Sequence, residues 1–231
     1  MTKGSKVFFG VILCIAILCF ALGIAVRSSY TGYRTFEEME LAEDLEGYSV
    51  QLQDARENGL SDCIKVYSDL VRKADLIAKV YATKERKLSI HAVTKTKVIV
   101  KKIYRGSQKE GQDIYIYEPA GFSYAISKSY DTAGGYQLMK EGEEYYVFLK
   151  KLKAAKGYQM SEQEKNTFLP STVLYSKFPV QQGNVVAVDA KRLEEGEYHY
   201  GEIKDLEIIT SDQEVLTNYK QIRKQVVCDN S

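Results

Sequence analysis

Thr94-Lys95-Thr96-Lys97-Val98-Ile99-Val100-Lys101-Lys102-Ile103-Tyr104 is the stretch on which the fold turns. Thr94, Thr96, Val98 and Val100 fall on one face at a spacing of two. Lys95, Lys97 and Lys101 share the other face with Val93, Ile99 and Ile103. That period belongs to a strand, because side chains alternate between the two faces of extended backbone. The predicted strand runs from about Ser89 to Tyr104 and ends at Arg105-Gly106. Upstream, Leu76 to Tyr81 reads as a first strand; downstream, Asp113 to Glu118 reads as a third, stopped by Pro119. Ala120 to Tyr136 is rich in Gly and Ser, a long loop with one short strand near Ser123 to Ser127. A turn at Lys140-Glu141-Gly142-Glu143 leads into a fourth strand, Glu144 to Leu152. Val173 to Tyr175 and Asn184 to Asp189, turned at Gln182-Gly183, are predicted to complete the sheet.

Helical signals bracket these strands. Thr35 with Glu38 has the spacing of a capping box, and Phe36, Met39, Leu41 and Leu45 form a ragged stripe behind it. Ser61 or Asp62 can cap a short helix that carries Ile64, Tyr67, Leu70 and Val71. Ser211 with Glu214 repeats the box ahead of Val215, Leu216, Tyr219, Ile222 and Val226. Short strands of unequal length between helices predict a mainly β fold, an OB-like Greek-key barrel with flanking helices.

A different solvent is written at the start of the chain. Val7 to Val26 is unbroken apolar sequence, VFFGVILCIAILCFALGIAV. As a helix it would extend about 30 Å, the hydrocarbon thickness of a bilayer. Lys3 and Lys6 precede it, while Arg27 and Arg34 on the far side soon give way to Glu37, Glu38, Glu40, Glu43, Asp44 and Glu46. Positive charge stays inside, so the expected arrangement is a cytoplasmic tail over 1–6, a transmembrane helix over 7–26, a stalk over 27–60 and an extracytoplasmic domain over 61–231. A cleaved signal peptide is the competing reading, with Gly23 and Ala25 as the small residues before the cut. A lipid-modified cysteine is excluded, because Leu13 precedes Cys14 and Leu18 precedes Cys19. Both remaining readings put the bulk of the chain outside the cytosol, as a cell-membrane protein.

Composition narrows the function. The chain has 32 basic and 31 acidic residues, a balance that argues against nucleic acid as a partner. There is no Trp but there are 18 Tyr, which favours a β-rich body and lowers the case for an aromatic sugar platform. Cys14 and Cys19 sit in the apolar run as small lipid-tolerant side chains. Cys63 and Cys228 are the pair that would be exported. An oxidising compartment favours a disulfide between them, which on the chain-entropy account would add about 3 to 5 kcal/mol. Two unpaired thiols are the alternative.

Three segments carry a family resemblance. They are Ser68-Asp69-Leu70 to Ala74-Asp75-Leu76-Ile77-Ala78-Lys79-Val80, then Val98-Ile99-Val100-Lys101-Lys102-Ile103-Tyr104-Arg105-Gly106, then Met139-Lys140-Glu141-Gly142-Glu143-Glu144-Tyr145-Tyr146-Val147-Phe148-Leu149. Together they resemble the netrin-like, tissue-inhibitor-of-metalloproteinase-like OB barrels of Gram-positive surface proteins, over about residues 63 to 190. The resemblance implies the barrel. It does not carry the animal inhibitors' metal-binding N-terminal Cys, because Cys63 is internal and its nitrogen is a peptide nitrogen.

No catalytic residue, metal ligand or cofactor is assigned. His91 and His199 are the two histidines; acids flank His199 in Glu194-Glu195-Gly196-Glu197-Tyr198-His199-Tyr200, without zinc-ligand spacing. Glu194, Glu195 and Glu197 read as an exposed charged turn. The chain has no Gly-rich phosphate cradle, no CxxC and no HExxH. Lys95, Lys97 and Lys101 are the candidate ligand-binding residues, placed where OB barrels bind polymers; a solvated, edge-protecting strand face is the favoured explanation of them, and an anionic envelope polymer the alternative. The Tyr-rich strands read as packing. The expected function is thus a membrane-anchored binding or assembly module with a protein partner. The alternatives are a binder of anionic envelope polymer and a hydrolase working through His199 with an adjacent acid.

Overall fold

The computed structural model describes residues 12–24, 33, 35–54, 64–88, 92–124 and 127–230. It divides into two units, 1–34 and 35–231. In the first, residues 12–24 are helical (α1) and expose their apolar side chains. Among the described residues no helix is long and apolar enough to cross a membrane. Most of the flanking residues of the predicted span lie outside the described set.

The second unit is built on the predicted period of two. Strands β2 (Leu76–Leu88), β3 (Thr94–Arg105), β4 (Asp113–Glu118), β8 (Thr167–Pro170) and β7 (Glu144–Lys151) pair in that spatial order. β2 also pairs with β7, antiparallel from Leu76↔Leu149 to Tyr81↔Glu144, and this closes a five-stranded barrel. Alternation turns Leu76, Ala78, Val80 and Ala82 of β2 inward to meet Val98, Val100, Ile114, Ile116, Tyr145, Val147, Leu149 and Phe168, all buried. The mainly β class and the flanking helices of the sequence reading are observed, and the closed barrel is consistent with an OB-like one.

The outward side chains of the same strands make a second core. Ile77, Tyr146 and Phe148 lie under helices α3 (Tyr67–Lys73) and α7 (Gln213–Asn230). The helical spacing of Leu216, Tyr219, Ile222 and Val226 in α7 supplies the complementary stripe, all buried. Phe178 of β9 (Lys177–Pro179) stacks on Tyr219 with ring centroids 5.1 Å apart. The cap of α7 is Asp212, whose Oδ1 accepts from the Glu214 and Val215 amides at 2.7 and 3.2 Å, not the expected Ser211.

A third core lies under a separate sheet of β1 (Ser49–Gln53), β6 (Ser129–Ala133) and β5 (Ala120–Ser123). Phe122 is its hub, with the rings of Phe36, Tyr48, Tyr130 and Tyr200 centred 4.8 to 5.8 Å away. Phe36 comes from α2 (Phe36–Ala42), which Thr35 caps as expected by accepting from the Glu38 amide at 3.1 Å. Residues 35–53 therefore belong to the folded unit, where the sequence suggested a stalk. Of their apolar side chains, Phe36, Met39, Leu45, Tyr48 and Val50 are buried, while Leu41 of the expected stripe and Leu52 are exposed.

Other boundaries also moved. Val173 to Tyr175 is a buried turn, and Asn184 to Asp189 is irregular apart from an Asn184–Leu206 bridge. The strands fall instead at β8 and β9, each ending in a Pro that donates no ladder hydrogen bond. Among the described residues the unit also contains three short helices, α4 (Glu162–Lys165), α5 (Ala190–Glu194) and α6 (Tyr200–Ile203).

One glycine permits a close backbone approach. Gly135, at φ +85°, lies so close to the segment before α7 that a Cβ would fall 1.9 Å from the Ile209 carbonyl oxygen. Its own carbonyl accepts from the Ile209 amide at 2.9 Å. Gly157 has the same φ of +85° with open space around it. We expect Gly135→Ala to destabilise the fold by about 2–4 kcal/mol, from strain plus displaced backbone. Gly157→Ala should cost about 1 kcal/mol from conformation alone. Urea denaturation in mild detergent, followed by tyrosine fluorescence, measures the difference.

Candidate functional site

The β2–β3 ladder slips at one point. Ala82 pairs with Val98 and the next partners are Arg86 and Thr96, so residues 83–85 stand opposite Lys97 alone. Such a bulge re-aims the side chains that follow it. Arg86 consequently returns to the inward row at the mouth of the barrel, only 9 % exposed. Its Nη2 donates to the Met139 carbonyl, and its guanidinium lies 5.0 Å from the centre of the Phe36 ring. Its Nε is buried with no hydrogen-bond partner.

Arg86 is part of the wall of a cleft of about 840 Å³. α2 and the 3-10 turn at Leu45–Gly47 form one side, the approach to β7 at residues 138–141 another, and α6 with Lys204 and Asp205 a third. Ion pairs stitch the rim: Lys204 to Glu46, Lys140 to Asp205 at 2.7 Å, and Lys84 to Glu37 at 4.0 Å. Glu43 meets Lys128 at 2.6 Å. Glu40, Asp44 and Glu141 line the cleft outside these pairs. Partial burial pushes the Glu40 carboxyl up from its ordinary value; Arg86 opposes this, and Glu141 and Glu37 add to it.

Beneath the cleft lies a buried polar floor. Glu118, fully buried, accepts from the Thr96 hydroxyl, from the Tyr136 hydroxyl at 3.0 Å and from the Met139 amide at 2.8 Å. Charge-assisted bonds of this kind are what allow a carboxylate to leave water. Tyr130 donates to Gln137 at 3.0 Å and accepts from the Leu138 amide at 3.2 Å. These bonds hold residues 136–139, and with them the cleft wall, against the barrel end. The Lys177 ammonium is buried over the rings of Tyr136 and Tyr145, 4.9 and 5.2 Å from their centres. Burial pushes its pKa down to about 8, with Glu118, Glu207 and Glu143 pulling the other way.

The sequence singled out none of Arg86, Glu118 and Lys177. Arg86 sits in the charged run Lys84-Glu85-Arg86-Lys87, which reads as solvated unless the bulge is known. Glu118 was legible: it follows Ile114 and Ile116 at a spacing of two, which places it on the inward face.

The residues that the sequence did nominate are dispersed. Lys95 lies over Tyr115 and Tyr117, with Nζ 4.7 and 5.4 Å from the ring centres. Lys97 pairs with Asp113 at 2.8 Å and with Glu85 at 3.4 Å, and Lys101 lies over Tyr81 at 5.2 Å. His199 is an exposed residue ahead of α6, its amide donating to Glu202 at 2.9 Å and its Nδ1 3.6 Å from the same carboxylate. Glu194 is exposed, while Glu195 and Glu197 lie 3.9 Å from Lys191 and Arg192. Among the described residues no three His, Cys, Asp or Glu side chains group as metal ligands. Cys228 is a free, exposed thiol, and Cys63 and His91 lie outside the described residues.

Lys177 gives the fold a measurable pH signature. Below pH 8 both folded and unfolded chains bind its proton, and the folded state carries the cost of the buried charge. From about 8 to the ordinary lysine value of 10.5 only the unfolded chain still binds it. Unfolding then takes up a proton, so stability rises with pH in that window. The buried tyrosines reverse the trend above their ordinary value of 10, because burial holds Tyr130, Tyr136 and Tyr219 well above it. We expect a gain of about 2 kcal/mol between pH 8 and 10 that Lys177→Met lacks, measured by urea unfolding at each pH. No protein-family model and no curated protein matches this chain.

Proposed function

We propose that this chain is a membrane-anchored binding module that holds its barrel outside the cytosol and receives a protein partner in the cleft beside Arg86. The cleft carries the reading: one wall presents charged groups outside the rim's ion pairs, and a rigid polar floor sets its shape. Volumes of about 300–1,000 Å³ are typical of ligand sites. Anchoring rests on the apolar run from Val7 to Val26. The described part of that run, residues 12–24, is an exposed apolar helix, a surface that water does not favour. The barrel's strand order and closure are consistent with an OB-like scaffold.

The competing readings have less behind them. A binder of anionic polymer needs cations free to meet phosphate, whereas Lys97 is neutralised by two acids and Lys95 and Lys101 lie over tyrosine rings. A hydrolase working through His199 needs an imidazole in a converging site, whereas this one is exposed ahead of α6, at a backbone bridge to Ser49.

A photo-crosslinking residue tests the proposal in intact membranes. Placed at Glu141 it should yield a discrete adduct, and placed at Lys150, exposed on β7, it should yield none. Equal labelling from both positions, no adduct from Glu141, or recovery of the chain in the cytosol would overturn the reading.

A further inference from the structure

We infer that the cleft's occupant is a cationic peptide segment, its lysine or arginine side chains on the acidic rim and one of its carbonyl or carboxylate oxygens on Arg86. This deepens the reading just given and rests on it.

Two independent observations meet here. The first is charge. Seven carboxylates and four cations line the cleft, a net of −3. The three lysines among those cations already have acid partners. Glu40, Asp44 and Glu141 remain to attract a ligand, and a rim of this sign repels an anion. The second is Arg86. It is nine-tenths buried and lines the same cleft, with Nε unpartnered while Nη2 is committed to Met139. A buried donor left unmet costs about 1–3 kcal/mol, so an arriving acceptor oxygen is favoured at that point.

The two requirements together select the ligand class. A metal ion answers the acids but not the guanidinium, and the described residues contain no metal-ligand cluster. A polyamine offers cations with no acceptor, and a phosphate offers acceptors to a rim that repels it. A basic peptide offers both at residue spacing, and the cleft's volume suits a short stretch of chain.

The full chain in detergent micelles and a dye-labelled, amide-capped peptide of alternating lysine and alanine provide the test, read by fluorescence anisotropy. The peptide should bind, and its affinity should fall as salt is raised. Glu40→Gln combined with Glu141→Gln should weaken it about fivefold at unchanged thermal unfolding midpoint. Arg86→Lys, which keeps the charge and loses the guanidinium fork, should weaken the peptide and leave spermine unchanged. Equal affinity for a glutamate–alanine peptide, spermine binding as tight as the lysine peptide's, or no effect of the double carboxylate change would overturn the assignment. The two proposals fail separately. Adducts from Glu141 without discrimination between the peptides remove only the ligand chemistry, and absence of those adducts removes the cleft as a docking site.

Discussion

Closure of the barrel through the β2–β7 ladder is the constraint from which the other features follow. β2 is shared, paired with β3 on one edge and β7 on the other, so its two faces are fixed in opposite senses along their length. The inward face supplies Leu76, Ala78, Val80 and Ala82, small enough at alternate positions to pack with the larger side chains of the facing strands inside a five-stranded barrel. The outward face supplies Ile77, on which α3 and α7 settle together with Tyr146 and Phe148. Had the ladder slipped by one residue, lysine and tyrosine would point inward and both cores would be lost at once.

The same strand sets the site. Past Ala82 the ladder no longer has to serve two partners, and the bulge at 83–85 becomes tolerable there. Thr83 secures it by donating to the Lys97 carbonyl at 2.8 Å. Arg86 is thereby carried into a barrel mouth whose polar residues, Thr94, Thr96 and Glu118, continue the inward rows of β3 and β4. A barrel end lined in this way cannot be packed as a hydrocarbon core. Each of its polar atoms needs a partner: Thr94 donates to the Ala120 carbonyl at 2.8 Å, Thr96 donates to Glu118, and Glu118 accepts in addition from Tyr136 and the Met139 amide. The cleft wall is consequently the satisfied shell of a buried carboxylate, which is why it has a defined shape.

The barrel strands were legible for two reasons. β3 and β4 bury one face and leave the other partly exposed, which writes a period of two. β7, buried on both faces from Tyr145 to Leu149, stands out as a continuous apolar run. The capping of α2 by Thr35 and the apolar stripe of α7 were legible for similarly local reasons. What was missed depends on long-range pairing. β1 is a short strand that pairs in parallel with β6, Ser49↔Ser129 to Gln53↔Ala133, and nothing local distinguishes it from a connector. β8 and β9 are four and three residues long and end in proline, so the apolar Val173 to Tyr175 beside them competed for the assignment. The nominated lysines were placed on the correct outer face of β3. Their partners lie on β2 and β4, and only the sheet's register reveals that Asp113, Glu85 and the tyrosines occupy them.

Charge balance hid the site for a related reason. A chain with 32 basic and 31 acidic residues looks electrostatically featureless, yet net charge says nothing about how the charges are sorted. On the β3 face cations meet acids or aromatic rings within the sheet, and the potential there is quenched. Around α2 the acids Glu37, Glu40, Glu43, Asp44 and Glu46 arrive together from one short run, too many for the lysines of the opposite wall to match. Folding that run against the barrel, instead of leaving it extended as a tether, turns a solvated acidic segment into one wall of a cleft. Arg86, which the bulge carries inward, lies within reach of that wall's field, as its effect on Glu40 records.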